Sequence, residues 1–284
     1  DNAITREDGQ LLLPSRYGPN GWEHVRENLS RERGRFVPFR MQELAHLYHA
    51  SFANEDYELI DRIRETDKER DWNEVPALGE KNYGDTELAR FQYYDGKNPD
   101  WPMKILSSEY ADVLAGYEEI KNDDRTSYDI ITTNKIPQNS VRTKGLTQVT
   151  MGTVQATYNG GLLRAAVRYY DADQGRPGLP RDVAALVDEL KPDRVGVQLV
   201  NTSHHESRRV LVQSGAFGEH DFTTIRYREV GKDGETVSSV NGKFFAVELP
   251  PSTSIRIDAG VNRFVNQPSY AFPWHGDAIP VPFQ

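Results

Sequence analysis

Residues 144–170, KGLTQVTMGTVQATYNGGLLRAAVRYY, mark the point where sequence with helical periodicity gives way to sequence that mostly alternates. Upstream, apolar residues recur every three or four positions; downstream they alternate with polar ones and are broken by Gly, Asn and Pro. Asn159-Gly160-Gly161 can supply the positive φ angles of a tight turn, so 162–170 reads as the first strand of a β-domain. The stretch predicts an α+β chain hinged near its middle.

Working back from the hinge, Met41, Leu44, Ala45, Tyr48 and Phe52 share one helical stripe. Asn54 is suited to cap a second helix with Glu55 and Asp56 in its first turn and Leu59, Ile60 and Ile63 on its buried side. After a long loop at 71–84, DWNEVPALGEKNYG, Asp85 can cap a helix through Leu88, Phe91 and Tyr94 that Gly96 and Asn98-Pro99 end. Pro102 then opens a helix carrying Leu106, Tyr110, Val113, Leu114, Tyr117 and Ile120. These read as two helical hairpins. Residues 1–35 read as mostly loop, with one short helical candidate at 22–29.

Working forward, Val183, Leu186, Val187 and Leu190 fall at helical spacing and predict a short helix over 180–190. Residues 195–200 and 209–213 alternate and predict a hairpin around the loop NTSHHES. Further strands are expected at 222–229, 243–249 and 254–259, with Asp233-Gly234 and Asn241-Gly242 as turns. The tail from 266, NQPSYAFPWHGDAIPVPFQ, has no period and reads as extended chain laid across another surface. The expected division is a helical region at 1–125, a linker and hinge at 126–150, and an antiparallel β-sandwich with its tail at 151–284.

Composition narrows the function classes. The formal net charge of −9 disfavours a nucleic-acid partner, because that affinity rests on Lys and Arg neutralising phosphates. No apolar run approaches the about 20 residues that span a bilayer, so a soluble protein with no membrane partner is expected. The start, DNAITREDGQ, lacks the regions of a signal peptide, and a chain beginning at Asp1 fits a processed or truncated product. With no cysteine there is no disulfide, Cys-ligated zinc or thiol chemistry. The compartment stays open, with the periplasm or extracellular space preferred to the cytoplasm.

The candidate chemistry lies in the acid-rich 71–84 loop and its flanks. Sugars are held by aromatic faces and by carboxylates at their hydroxyls, and glycoside hydrolysis needs two carboxylates flanking the bond. Glu74 and Asp85 are the candidate catalytic pair, although Asp85 also suits an N-cap. Trp72, Tyr83, Arg90 and Trp101, with Lys144, Tyr158 and Asn159 at the hinge, are the candidate substrate-binding residues, because sites favour junctions between structural parts. Asn159 also suits a plain turn.

Glu43, His46 and His49 have the spacing of a helical metal site, but the apolar stripe leaves both histidines toward the polar side. His204, His205 and His220 read as loop residues. No metal or other cofactor is expected. There is no phosphate loop and no G-x-S-x-G elbow.

Helical hairpins, a polar connector, YNGGLLRAAVRYY and a β-domain with an aromatic-Pro tail together resemble the C-terminal part of bacterial carbohydrate-active proteins, in which an α/α-toroid precedes a β-sandwich. The resemblance is architectural and covers about residues 36–260. It implies a partial toroid and a glycoside hydrolase-related activity on an oligo- or polysaccharide in a cleft between the helical and β parts. One alternative is a non-catalytic glycan-binding or assembly subunit, in a larger complex or a homo-oligomer. The other is a polysaccharide lyase using Tyr83, Arg90 and Lys144.

Overall fold

The computed structural model describes residues 4–5, 11–12, 16–18, 21–23, 42–66, 71–75, 86–133, 141–154, 162–229 and 233–275. Two small antiparallel ribbons come first, β1 (Ile4–Thr5) with β2 (Leu11–Leu12), and β3 (Arg16–Gly18) with β4 (Gly21–Glu23). Trp22 and Glu23 therefore stand in a strand, not in the expected helix, the rest of which lies outside the described residues.

The helical hairpins follow as α1 (Gln42–Ser51), α2 (Asn54–Thr66), α3 (Thr86–Tyr94) and α4 (Trp101–Lys121). The stripes of α1, α2 and α3 are buried as the periodicity requires: Ala45 and Tyr48 on α1 with Phe52 just past its end, Tyr57, Ile60 and Ile63 on α2, Phe91 and Tyr94 on α3; on α4 the expected stripe is largely exposed at Tyr110, Leu114, Tyr117 and Ile120. Gly96, at φ +72°, ends α3 in the left-handed conformation, with its N–H and that of Lys97 returning to the carbonyls of Tyr93 and Gln92.

Two further helices stand in the expected linker and hinge. They are α5 (Ser127–Thr133), whose Thr126 and Asp129 bond reciprocally at its start, and α6 (Lys144–Met151), which Gly152 at φ +63° closes. The start of α6 is held from outside: the Glu109 carboxylate, buried on α4, accepts from Gly145 N–H and Leu146 N–H at 2.8 Å each. A carboxylate at a helix N-terminus satisfies orphan donors and complements the dipole.

The β part is an antiparallel sandwich, as the alternation predicts. One sheet has strand order β11-β10-β13-β8-β7 and the other β12-β9-β5-β6. The strands are β5 (Val167–Asp171), β6 (Arg176–Pro177), β7 (Val183–Lys191), β8 (Arg194–Asn201), β9 (Arg208–Ser214), β10 (Asp221–Glu229), β11 (Thr236–Gly242), β12 (Phe244–Leu249) and β13 (Ser254–Asn262). On β13, Ile255, Ile257, Ala259 and Val261 point inward in strict alternation.

Three local expectations are corrected. Residues 162–164 form a short 3-10 turn, so the first sandwich strand begins at Val167. Residues 183–191 are strand, not helix. β7 is buried on both faces and shifts register between Val187 and Glu189, which mimics a helical period. Val187 and Leu190 face the sandwich core, and Leu186 faces the helical cluster of Ala89, Trp101, Ile105 and Val149. Finally, β8 and β9 belong to different sheets, so the chain around NTSHHES crosses over; β7 and β8 are the hairpin.

The tail reaches back onto its own β part. Phe272 and Trp274 pack edge-on against Tyr170, with centroids 6.1 and 5.8 Å away, and Tyr270 meets Phe217 at 5.0 Å. One buried cluster runs from Ala45, Tyr48 and Ile60 on the helices to Val187, Leu199 and Ile257 in the sandwich, so helices and sheets share a core. Among the described residues, no helix is long and apolar enough to cross a membrane.

Candidate functional site

Where α2 and the end of α3 meet the β7–β8 turn, a cavity of about 360 Å³ opens among Tyr57, Asp61, Arg64, Trp72, Asp95 and Lys191, with Glu65, Gln92 and Lys97 completing its wall. Helical periodicity places Tyr57, Asp61 and Arg64 on successive turns of α2. Asp95 follows the last residue of α3, where Gly96 turns the chain away.

Lys191 is set by a fastened turn. Arg263 donates to the carbonyls of Lys191 and Pro192 at 3.0 Å each, Tyr48 Oη donates to the carbonyl of Leu190 at 3.3 Å, and Val261 N–H donates to that of Asp193 at 2.7 Å. The Arg263 guanidinium lies 3.9 Å from the centroid of the Phe52 ring, which fixes it in turn.

Asp95 is the centre of the cluster. Its Oδ1 accepts from Tyr57 Oη at 2.6 Å and from Lys191 Nζ at 2.9 Å, and its Oδ2 accepts from Arg64 Nη2. Lys191 Nζ also reaches Tyr57 Oη at 2.9 Å and lies 4.2 Å from that ring's centroid. Arg64 bonds Asp61 as well, and donates to Gln92 Oε1 at 2.9 Å. Burial pushes the Asp95 carboxyl up, but the hydrogen bonds from Tyr57, Lys191 and Arg64 outweigh it and hold the group below the usual carboxylate range. Burial first, and then its bond to Asp95, pushes the Tyr57 phenol well above its ordinary value, so it stays a neutral donor.

The expected site residues are dispersed. Trp72 lines the cavity, only 7% exposed. Glu74 is exposed nearby in sequence and does not line it. Trp101 is fully buried against Tyr93, with centroids 5.3 Å apart, so its face is not available to a sugar in this structure. Arg90 is fully buried and donates to the carbonyl of Thr153. Lys144, half-buried, opens α6. Tyr83, Asp85, Tyr158 and Asn159 lie outside the described residues.

Two histidine readings are corrected. His49 is buried, with Nδ1 at the carbonyl of Ala45 (2.9 Å) and Nε2 at that of Gly152 (3.2 Å), because the chain at the end of α6 meets the helix face that the stripe leaves polar. His220 is fully buried beside Phe52 and Phe264 and accepts from Phe264 N–H through Nδ1. Among the described residues no group of three His, Cys, Asp or Glu side chains is placed to hold a metal.

Residues 10–147 match a family model described as "Domain of unknown function (DUF8034)". The match takes in the α2 and α3 walls of the cavity and ends before the sandwich. A search of curated proteins gives no match. Among solved structures, a glycoside hydrolase family 44 endoglucanase produced by Clostridium acetobutylium ATCC 824 is similar over 28% of this chain and 17% of its own, at 12% identity and a TM-score of 0.23. CapF, solved with the inhibitor 3-isopropenyl-tropolone, is similar over 35% of this chain and 32% of its own, at 17% identity and a TM-score of 0.12. The chain thus spans less than two thirds of either protein, and at these scores neither likeness bears on the fold or the site.

Proposed function

We propose that the chain recognises a neutral saccharide in the cleft between its helical and β parts, as a binding module and not as a hydrolase. The observation that carries this reading is the cavity wall, where the Trp72 and Tyr57 rings stand among Asp61, Glu65, Asp95, Gln92, Arg64, Lys97 and Lys191. The little ring surface left open, 7% of Trp72 and 6% of Tyr57, beside charged groups that donate to and accept from hydroxyls, suits a polyol. Three carboxylates face three cations, so the wall carries no net charge. That balance favours a neutral sugar over the acidic substrate of a lyase.

Hydrolysis needs a carboxylic acid that keeps its proton near neutral pH. Asp95 is held in the opposite direction, and Asp61 shares its cation Arg64 with Asp95. Asp95 is not fitted to be that acid.

The test is calorimetric titration with a panel of neutral and acidic oligosaccharides, with products read by mass spectrometry. A neutral oligosaccharide is expected to bind without turnover. Lys97→Met and Glu65→Gln, both exposed on the wall and peripheral to the fold, should each weaken binding about tenfold. Failure of every sugar to bind, or binding that ignores both variants, would refute the assignment. A product that gains water would refute the non-catalytic part and move the search to Glu74 and Asp85, with Glu74→Gln as the next variant.

A further inference from the structure

A second cavity, of about 410 Å³, opens among Arg194, Thr223, Thr224, Arg226 and Asp258, over Gly260. Register puts it on the same row of one sheet face as the cavity at Asp95. Leu190, Val195 and Ala259 lie in the core, so by alternation Lys191, Arg194 and Gly260 stand on the outer face of the five-stranded sheet. Lys191 pairs with Arg194, and Arg194 with Gly260. Beyond Gly260 the register of β10 shifts between Phe222 and Ile225, so Thr223 and Thr224 both fall opposite that one residue. A Cβ at Gly260 would stand 2.5 Å from Thr223 Oγ1, so the glycine is what leaves room for that hydroxyl on the outer face. From Lys191 to the bulge the row crosses three strand spacings, about 14 Å.

The second cavity is equipped for hydroxyls. The side chains of Thr223, Thr224, Arg226 and Asn262, all in its wall, make no hydrogen bond or ion pair with other described residues. Its two carboxylates are already met by guanidinium groups, Asp258 by Arg256 at 2.6 Å and Asp193 by Arg194 at 3.6 Å. Asp193 and Asp258 also balance Arg194 and Arg226 within the wall, so it carries no net charge. Unused donors and acceptors without net charge match a neutral polyol, as the first cavity does. Resting on the saccharide reading of the Asp95 cavity, we propose that its ligand is a neutral oligosaccharide that runs along this row and seats its far units over Gly260, between Arg226 and the two threonines. A row of about 14 Å is too long for one sugar ring and suits a short chain of them.

The test is calorimetric titration of the full chain with neutral gluco-, manno- and xylo-oligosaccharides from one to about six units long. Affinity should rise by about tenfold or more from the single sugar to the longer members and then level off. Arg226→Gln and Thr224→Val, both in the second cavity, should each lower the affinity of the longer members about tenfold and that of the single sugar by less. Affinity that does not depend on length, or longer sugars indifferent to both variants, overturns the extended row while leaving the Asp95 cavity as the site of a short sugar. A loss equal at every length overturns it too. Failure of every sugar to bind removes the extended row and the saccharide reading together.

Discussion

Asp95 shows how much one carboxylate organises. Its acceptor sites are filled from two helical residues, Tyr57 and Arg64, and from Lys191 on the sandwich, so the side chain is a three-way tie between α2, the end of α3 and the β7–β8 turn. Asp95→Asn removes the charge, leaves Lys191, 23% exposed, without its carboxylate, and leaves Arg64, 7% exposed, with Asp61 alone. A loss of about 2 to 4 kcal/mol is expected as a lower urea midpoint with an unchanged slope. Glu109 plays the same part at α6, and Glu109→Ala should cost about 1 to 3 kcal/mol by exposing two amides to no acceptor, an effect Glu109→Gln should partly spare. Neither role was legible in sequence. Asp95 follows YY and precedes Gly96, so it reads as a helix stop, and Glu109 reads as one more acidic residue on a long helix. Trp72, a candidate because it sits in an acidic aromatic loop, lines the cavity, but the other lining residues come from elements whose approach no local pattern encodes.

At the scale of elements, pattern succeeded where one face is buried and failed where two are. β13 alternates strictly, and α1, α2 and α3 carry single stripes, so all four stand where periodicity places them. β7 has Val187 and Leu190 in the sandwich, Leu186 against the helices, and a bulge between, and that combination imitates i, i+3, i+4, i+7. Leu186 is the discriminating residue. A sandwich strand with one solvated face would tolerate truncation there, whereas a strand roofed by Trp101, Ile105 and Val149 should not. Leu186→Ala is therefore expected to lower stability by about 2 kcal/mol in thermal or urea unfolding, and Ala184→Ser, on the same face of the strand but exposed beyond the helical roof, by less than about 0.5 kcal/mol. The α4 helix is the converse case. Its residues announce two apolar faces at once, and the fold uses only one of them.

At the scale of the whole molecule, the shared core between helices and sandwich has a cost in acid, because it encloses two histidines. Burial, reinforced by the charge of Arg263, holds His220 down at about 3, and burial with the charge of Arg90 holds His49 well below its ordinary 6.5. In the unfolded chain both rings take up protons as pH falls through 6.5, and in the folded chain they do not. Their contribution to stability is therefore complete above pH 6.5 and is lost below it, by about 1.4 kcal/mol per pH unit for each ring until the folded values are approached. Asp95 also favours neutral pH, but its held-down carboxyl gives up stability only below the ordinary carboxylate value of 3.8, as pH falls toward its folded value. The two windows do not overlap between pH 6.5 and 5, so the slope there belongs to the histidines. Urea midpoints at pH 7.5, 6.5, 5.5 and 5.0 should fall progressively below 6.5, and His220→Asn, which keeps an acceptor near Phe264 N–H without titrating, should be less stable at pH 7.5 yet show a shallower acid slope. A flat profile from pH 7.5 to 5.0 in the parent chain would mean that the rings exchange protons with solvent in the native state, and that the shared core is not sealed beside Gly152 and Phe264.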